Sequence, residues 1–215
     1  MEKFFREPVN GLTHLIGAVL SLIAFIAMIS KAIITGSSFI EYVSICLFGL
    51  GMILLYSASA TYHSVIANES IIKILKRVDH SMIFVLITGS YAPYCLIALH
   101  NSTGYRLFAA VLISSIIGII FKIAWVTCPR WLSSTIYIAI GWLAIFAIYP
   151  LFKSIAFPGV AMLIIGGLFY TVGGVIYALK KDKIKIGVFG SHEIFHLFIM
   201  LGTLSHFIGI FNYII

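Results

Sequence analysis

The chain has 215 residues, of which 61% are hydrophobic and 10% are charged. A soluble domain averages about 45–50% apolar and about 25% charged residues, so 14 Lys and Arg with 7 Asp and Glu are too few to cover a soluble globule. This composition excludes a cytosolic enzyme, a nucleic-acid-binding protein and a disordered chain. It predicts an integral membrane protein whose apolar exterior is solvated by lipid.

Seven apolar runs are long enough to cross a bilayer, since a spanning helix needs about 20 apolar residues. The predicted helices, one to seven, cover residues 11–34, 40–63, 80–99, 105–126, 132–151, 158–179 and 191–215. The connections between them are short, so the sequence predicts an all-α, seven-helix transmembrane bundle as a single domain over residues 1–215. Pro93 predicts a kink in helix three, and glycines in helices two and six predict close helix packing.

The basic residues are unevenly divided between the two ends of this bundle. Eleven fall on the side of the N-terminus: Lys3, Arg6, Lys73, Lys76, Arg77, Lys122, Arg130, Lys180, Lys181, Lys183 and Lys185. Three fall on the other side: Lys31, Arg106 and Lys153. Because cytoplasmic loops carry the excess of Lys and Arg, this bias predicts a cytoplasmic N-terminus and an external C-terminus.

Ionisable side chains at membrane depth are costly and indicate function. Ser59 and His63 end helix two, Asp79 precedes helix three, and His192 and His196 open helix seven. With the predicted orientation, all of them lie toward the cytoplasmic leaflet. The charge count did not use the histidines, so their convergence on that side is an independent observation.

Spacing indicates what these residues form. His192 and His196 lie four residues apart and share a helix face, and so do Ser59 and His63. Two imidazoles one turn apart and a third from another helix are the ligand set of a catalytic zinc, with a fourth position open to water. The sequence therefore predicts Zn²⁺ bound by His63, His192 and His196.

Each of the remaining polar residues has an expected role or environment. Asp79 is expected to act as a base or to orient a ligand, and Ser59 to supply a hydroxyl to the water or to an oxyanion. His14 is left open between an interfacial polar residue and a metal ligand. Glu193 is expected to be an acid in the first helical turn that is either solvated or stabilised by the helix dipole. His206 lies about 15 Å deeper than His196 and is expected to hydrogen-bond another helix.

Four separated motifs in this sequence resemble a known family. They are the segment 7–17 (EPVNGLTHLIG), the block 59–63 (SATYH), Asp79, and the segment 192–196 (HEIFH) with His206-Phe207. They resemble the hemolysin III branch of the progestin and adiponectin Q receptor family, which is similar to the alkaline ceramidases. The resemblance implies seven helices in a bacterial cell membrane, with zinc on His63, His192 and His196 and the family's aspartate and serine at Asp79 and Ser59.

Three functions follow as hypotheses. The first is a zinc-dependent hydrolase of a lipid amide or ester, ceramidase-like, with a membrane lipid as substrate. The second is a pore-forming hemolysin, which the branch's cytolysin name suggests. The third is a non-catalytic sensor or receptor of membrane lipid that keeps zinc as a structural element.

Overall fold

The structure, a computed structural model, describes residues 5–179 and 189–215. Its α-helices are α1 (Pro8–Thr35), α2 (Phe39–Ser64), α3 (Glu69–Ala92), α4 (Ser102–Ala124), α5 (Arg130–Gly141), α6 (Ile145–Ser154), α7 (Phe157–Leu179) and α8 (Ser191–Tyr213). A 3₁₀ turn, Trp142–Ala144, joins α5 and α6 into one continuous span. The predicted all-α bundle with seven membrane-spanning helices is confirmed.

The outer surface of the bundle is apolar over most of its length. Leu12, Ile23 and Ile116 are among the many large aliphatic side chains that are about half exposed. A soluble protein does not leave so large a continuous apolar surface in water. Lipid is therefore the solvent of this surface, while the tightly packed interior contains the aromatic side chains Phe48, Phe84 and Tyr94.

The third span begins earlier than the sequence predicted. The prediction placed its start near His80, whereas α3 begins at Glu69, after Asn68, whose side chain accepts a hydrogen bond from the amide of Ile71 at 3.0 Å. These first turns carry Lys73 and Lys76 among isoleucines, so they do not form a continuous apolar run that would predict a membrane span. As a result, Asp79 lies inside a continuous helix rather than at its start.

Pro93 changes the geometry of the same span. From Pro93 to Leu99 the chain continues as a π-helix, which ends at His100 in a left-handed conformation. A proline inside a helix removes a backbone donor and clashes with the preceding turn, so a local change of winding is the expected response.

Most of the glycines that the sequence singled out lie at close helix contacts. A methyl group on Gly49 would overlap the ring of Phe25, and one on Gly166 would overlap His206. Gly167 departs from that expectation, because nothing lies within 4 Å of where its methyl group would be. Gly89 of α3 lies directly against the backbone of α2, facing the Leu47 carbonyl.

The order of packing brings the N-terminal end of α1 beside the candidate site. α1 packs along α2 and also touches α8, while α3 packs on α2 and α7 packs on α8. The end of α2 and the starts of α1 and α8 therefore meet at one end of the bundle, called here the basic end. The basic residues at this end are Arg6, Lys73, Lys76, Arg77, Lys122 and Arg130.

Five of the predicted basic residues lie outside the described residues: Lys3, Lys180, Lys181, Lys183 and Lys185. The cytoplasmic orientation stays a prediction from charge.

The contact at Gly89 makes the first testable prediction. Gly89→Ala should destabilise the protein, since its methyl group meets the backbone of α2, and overpacking costs about 1–3 kcal/mol. Gly167→Ala is the matched control, with the same gain in helix propensity and open space around the new methyl group. Thermal unfolding in detergent should show a lower midpoint for Gly89→Ala alone. Equal midpoints for the two variants would contradict the packing of α2 on α3.

Candidate metal centre

Three imidazoles converge at the basic end of the bundle. His63 comes from the end of α2, and His192 and His196 come from the first two turns of α8. One nitrogen from each ring lies within 4.8 Å of the others, and the Nε2 atoms of His63 and His192 are 3.4 Å apart. A tetrahedral ion with Zn–N bonds of about 2.0–2.1 Å places its ligands about 3.4 Å apart. These three residues therefore fit a metal ion with a fourth position free.

A carboxylate fixes the ring of His63. The Nδ1 atom of His63 donates to Oε2 of Glu7 at 2.6 Å, so its Nε2 atom presents a lone pair to the cluster. Burial alone would raise the pKa of Glu7, but the hydrogen bonds from His63 and Asn10 and the charge of Arg6 outweigh it and hold that pKa below its usual range. Glu7 is therefore ionised at neutral pH and is a constant acceptor. A carboxylate in this place sets the tautomer of a metal-binding histidine.

The chain around Glu7 is itself anchored to the end of α2. The amide of Glu7 donates to the carbonyl of His63 at 2.9 Å, and Arg6 donates to the carbonyl of Tyr62 at 2.6 Å while lying over its ring. These contacts hold the carboxylate at a fixed position relative to the His63 ring. The sequence analysis did not assign Glu7 to the site, although its place one residue before Pro8, at the end where the histidines gather, was a usable signal.

Asn10 connects this segment to α8. Its Nδ2 atom donates to Oε2 of Glu7 at 3.1 Å and to Oε1 of Glu193 at 3.0 Å. The other oxygen of Glu193 accepts from the amide of Gly190 at 2.9 Å. Glu193 is thus the expected acid in the first turn of the helix, but its carboxylate is held by protein donors rather than by solvent alone. Its carboxylate binds α1 to the start of α8, because an acid at N3 of a helix reaches back to the free amides.

His14 lies buried beside the cluster rather than at the membrane interface. Its ring stacks on His196, with centroids 3.6 Å apart and planes 14° apart, and it is 3% exposed. Neither of its ring nitrogens has a hydrogen-bond partner among the described residues. It lies outside the group of three whose nitrogens converge. His14 therefore contributes an imidazole face to His196 and two unpaired nitrogens to the surroundings of the centre.

Ser59 and Asp79 lie beside the histidines, one turn deeper in the bundle. Both are buried and line the same cavity as His14 and His196. Asp79 is not one of the converging ligand atoms. This arrangement leaves Asp79 free to act on a molecule that occupies the open position.

His206 lies deep in the bundle and does not join the centre. It packs edge-on against Tyr94 and Tyr170, and its ring is 5% exposed. The expected hydrogen bond to another helix is not found within residues 5–179 and 189–215, although the backbone of Leu163 lies beside the ring. The ring packs into the space left by Gly166.

Two cavities of different polarity meet at the histidines. An apolar cavity inside the bundle includes His14, His196, Ser59 and Asp79 at one end and extends to Tyr94 and His206. A polar vestibule at the basic end includes His63, Glu7 and Glu193. His192, His80 and Tyr177 line both spaces. The histidine cluster therefore stands between an apolar interior and a polar opening.

The contact between Glu7 and His63 predicts an effect on metal affinity. Glu7→Ala should weaken binding about 10- to 100-fold, because the loss of such a partner frees the ring to rotate and change tautomer. Glu69→Ala, which removes an exposed carboxylate from the start of α3, is the control. Competition with a chromophoric chelator measures both variants. Unchanged affinity in Glu7→Ala would refute the positioning role.

The stacked arrangement of His14 predicts that it is not a ligand. His14→Phe keeps an aromatic face on His196 and removes both nitrogens, so metal content should stay at the wild-type value. His196→Ala should lose the metal. Elemental analysis of the purified proteins distinguishes the two. If His14→Phe loses as much metal as His196→Ala, the centre has four histidine ligands.

Comparison with known proteins agrees with this architecture. A family model described as haemolysin-III related matches residues 2–207. The chain is 36% identical over 208 residues to the Hemolysin-3 homolog of Bacillus subtilis (strain 168), covering 97% of this chain and 94% of that protein. It is also 36% identical over 216 residues to Hemolysin-3 of Bacillus cereus, covering 100% and 95%. With seven spanning helices, these matches show a multi-pass bacterial membrane protein. The chain belongs to the haemolysin-III related family.

Proposed function

We propose that this protein is a zinc-dependent hydrolase that cleaves an amide or ester bond of a membrane lipid. The observation that carries the proposal is the position of the histidine cluster between the apolar cavity and the polar vestibule. A lipid hydrolase needs an apolar space for the chain and a polar route for water and product. Both requirements meet at the three imidazoles.

The apolar cavity is suited to an acyl chain. Between the histidines and its deep end it is lined by side chains such as Leu55, Ile83, Ile148 and Leu151. Along α8 it reaches from His196 to His206, ten residues or about 15 Å of helix. Ligand sites of this kind are mostly apolar, with a few polar groups that fix the orientation of the ligand. Here the polar groups stand at one end, where the scissile bond would lie.

The side chains around the cluster have complementary roles in hydrolysis. His63, His192 and His196 would hold a zinc ion, which would supply Lewis-acid activation of water and of a carbonyl group. Asp79 would accept the proton of the attacking water, and the Ser59 hydroxyl would donate to the oxyanion. Glu7 keeps the Nε2 lone pair of His63 directed at the cluster. The burial of Ser59 and Asp79 keeps bulk water away from the reacting bond.

Pore formation is a second candidate, because both relatives carry the name Hemolysin-3. Bilayer recordings with the pure protein test it, and a conductance of defined size would support it. The absence of any conductance, together with lipid turnover, would favour the hydrolase. The cavity and the histidine cluster have no assigned part in a pore, which is why the hydrolase is preferred.

Turnover of labelled ceramides and acyl lipids by the purified protein tests the hydrolase directly. Asp79→Asn should lower turnover about 100-fold or more and leave zinc content unchanged, since it removes the base but none of the three ligands. Glu41→Gln, at the opposite end of α2, is the control. Stoichiometric zinc with no turnover of any lipid in the wild type would contradict the hydrolase and favour a lipid sensor with a structural metal. Zinc loss in Asp79→Asn would contradict the role assigned to Asp79.

A further inference from the structure

We propose that the vestibule at the basic end binds a phosphate group, supplied by the head group of an anionic lipid. The inference takes from the proposed function that a lipid is the ligand and adds the chemical class of its head group. It rests on a difference between the acids and the bases around the vestibule. The acids are paired within the protein, whereas the bases that line the opposite wall have no carboxylate partner among the described residues.

The carboxylates on one side of the vestibule are already neutralised. Glu7 accepts from His63 and Asn10 and pairs with Arg6 at 3.4 Å. Glu193 accepts from Asn10 and from the amide of Gly190. Their oxygens are occupied by contacts that hold α1, α2 and α8 together. This side of the vestibule is therefore not a site for a second cation.

The opposite side carries cations that lack such partners. Lys76 and Arg130 line the vestibule, and Lys122 lies behind Cys128 and Ser133, which also line it. Lys76 is within electrostatic reach of both Lys122 and Arg130. In the part of the chain that the structure describes, none of the three cations has a carboxylate oxygen within 4.0 Å. Positive charge thus accumulates on one wall.

The burial of Lys122 distinguishes this wall from ordinary basic residues at a membrane surface. Lys73 is exposed, as expected of a residue that sets orientation. Lys122 is 0% exposed, and its Nζ atom donates to Ser133 Oγ at 2.5 Å and to Cys128 Sγ at 3.1 Å. The carbonyl end of α4 offsets part of the cost of a buried charge. Among the described residues no carboxylate oxygen lies within 4.0 Å of its Nζ atom, so an anion in the vestibule would offset more of that cost.

The groups facing the vestibule match the acceptor oxygens of phosphate. Arg130 offers a planar fork of donors and Lys76 offers a compact charge. Ser133 also lines the vestibule, and its hydroxyl accepts from Lys122. The Nδ1 atom of His80, a residue that is 8% exposed and lines the vestibule, has no hydrogen-bond partner among the described residues. This last atom is a buried polar group that a ligand would satisfy.

The position of this wall identifies the lipid as the source of the phosphate. His80, His192 and Tyr177 line both the vestibule and the apolar cavity. One molecule with its head group against Lys76 and Arg130 and its chain in the cavity therefore passes directly by the histidine cluster. A neutral lipid amide has no charge to place against this wall, so anionic lipids should be preferred.

Binding of a lipid that cannot be hydrolysed tests the inference apart from catalysis. The full-length protein in neutral detergent is titrated with ether-linked dioctyl phosphatidic acid, with the matching dioctylglycerol, and with inorganic phosphate. The phosphatidic acid should bind at least about tenfold more tightly than the dioctylglycerol, since charge-assisted contacts are the difference between them. Lys76→Gln and Arg130→Gln should each weaken its binding about 5- to 20-fold, with a loss that diminishes at high salt.

Lys73→Gln is the matched control, since it removes the same charge from an exposed position on the same helix. Equal affinity for the phosphatidic acid and the dioctylglycerol would overturn the proposal, and so would an equal loss in Lys73→Gln. Inorganic phosphate that binds weakly and is affected by the same substitutions would support it. Inorganic phosphate that binds as tightly as the lipid would overturn the assignment to a lipid head group. These results do not depend on turnover, so a protein that binds the lipid and hydrolyses nothing refutes only the proposed function.

Discussion

The arrangement of the basic end depends on the hydrogen bond between Glu7 and the buried ring of His63. Glu7 satisfies one nitrogen of His63, which leaves the other directed at His192 and His196. Asn10 joins Glu7 to Glu193 and so fixes the start of α8 against the start of α1. The contacts that orient the candidate ligands are thus also contacts that hold three helices together. Metal binding and the packing of this end are expected to depend on each other.

The histidine cluster lies between two separate cavities, and the proposed function depends on this position. A histidine site open only to water would suit a soluble substrate, and one open only to lipid would lack a route for water. His192 borders both spaces, while His63 faces the vestibule and His196 faces the apolar cavity. The basic wall of the vestibule would in the same way match a charged lipid head group. Apolar chain, scissile bond and charged head would each meet an environment of matching polarity.

Much of the architecture could be predicted from sequence because lipid imposes simple rules. Runs of about 20 apolar residues gave the seven spans, and costly polar residues within them gave His63, His192 and His196. The start of α3 could not be found this way, because its first turns mix lysine with isoleucine. Helix packing decided the rest. The stacking of His14 on His196 and the use of Glu7 as a partner of His63 depend on how α1 lies between α2 and α8, and one sequence does not show that.

X-ray absorption at the zinc edge of the purified, zinc-loaded protein is the most direct test of the central claim. Three imidazoles sharing one ion predict three imidazole nitrogens at about 2.0–2.1 Å and one oxygen ligand that does not belong to a ring in the fourth position. The multiple scattering typical of imidazole rings should be strong. A spectrum with only oxygen ligands, or with a number of imidazoles other than three, would contradict the centre described here.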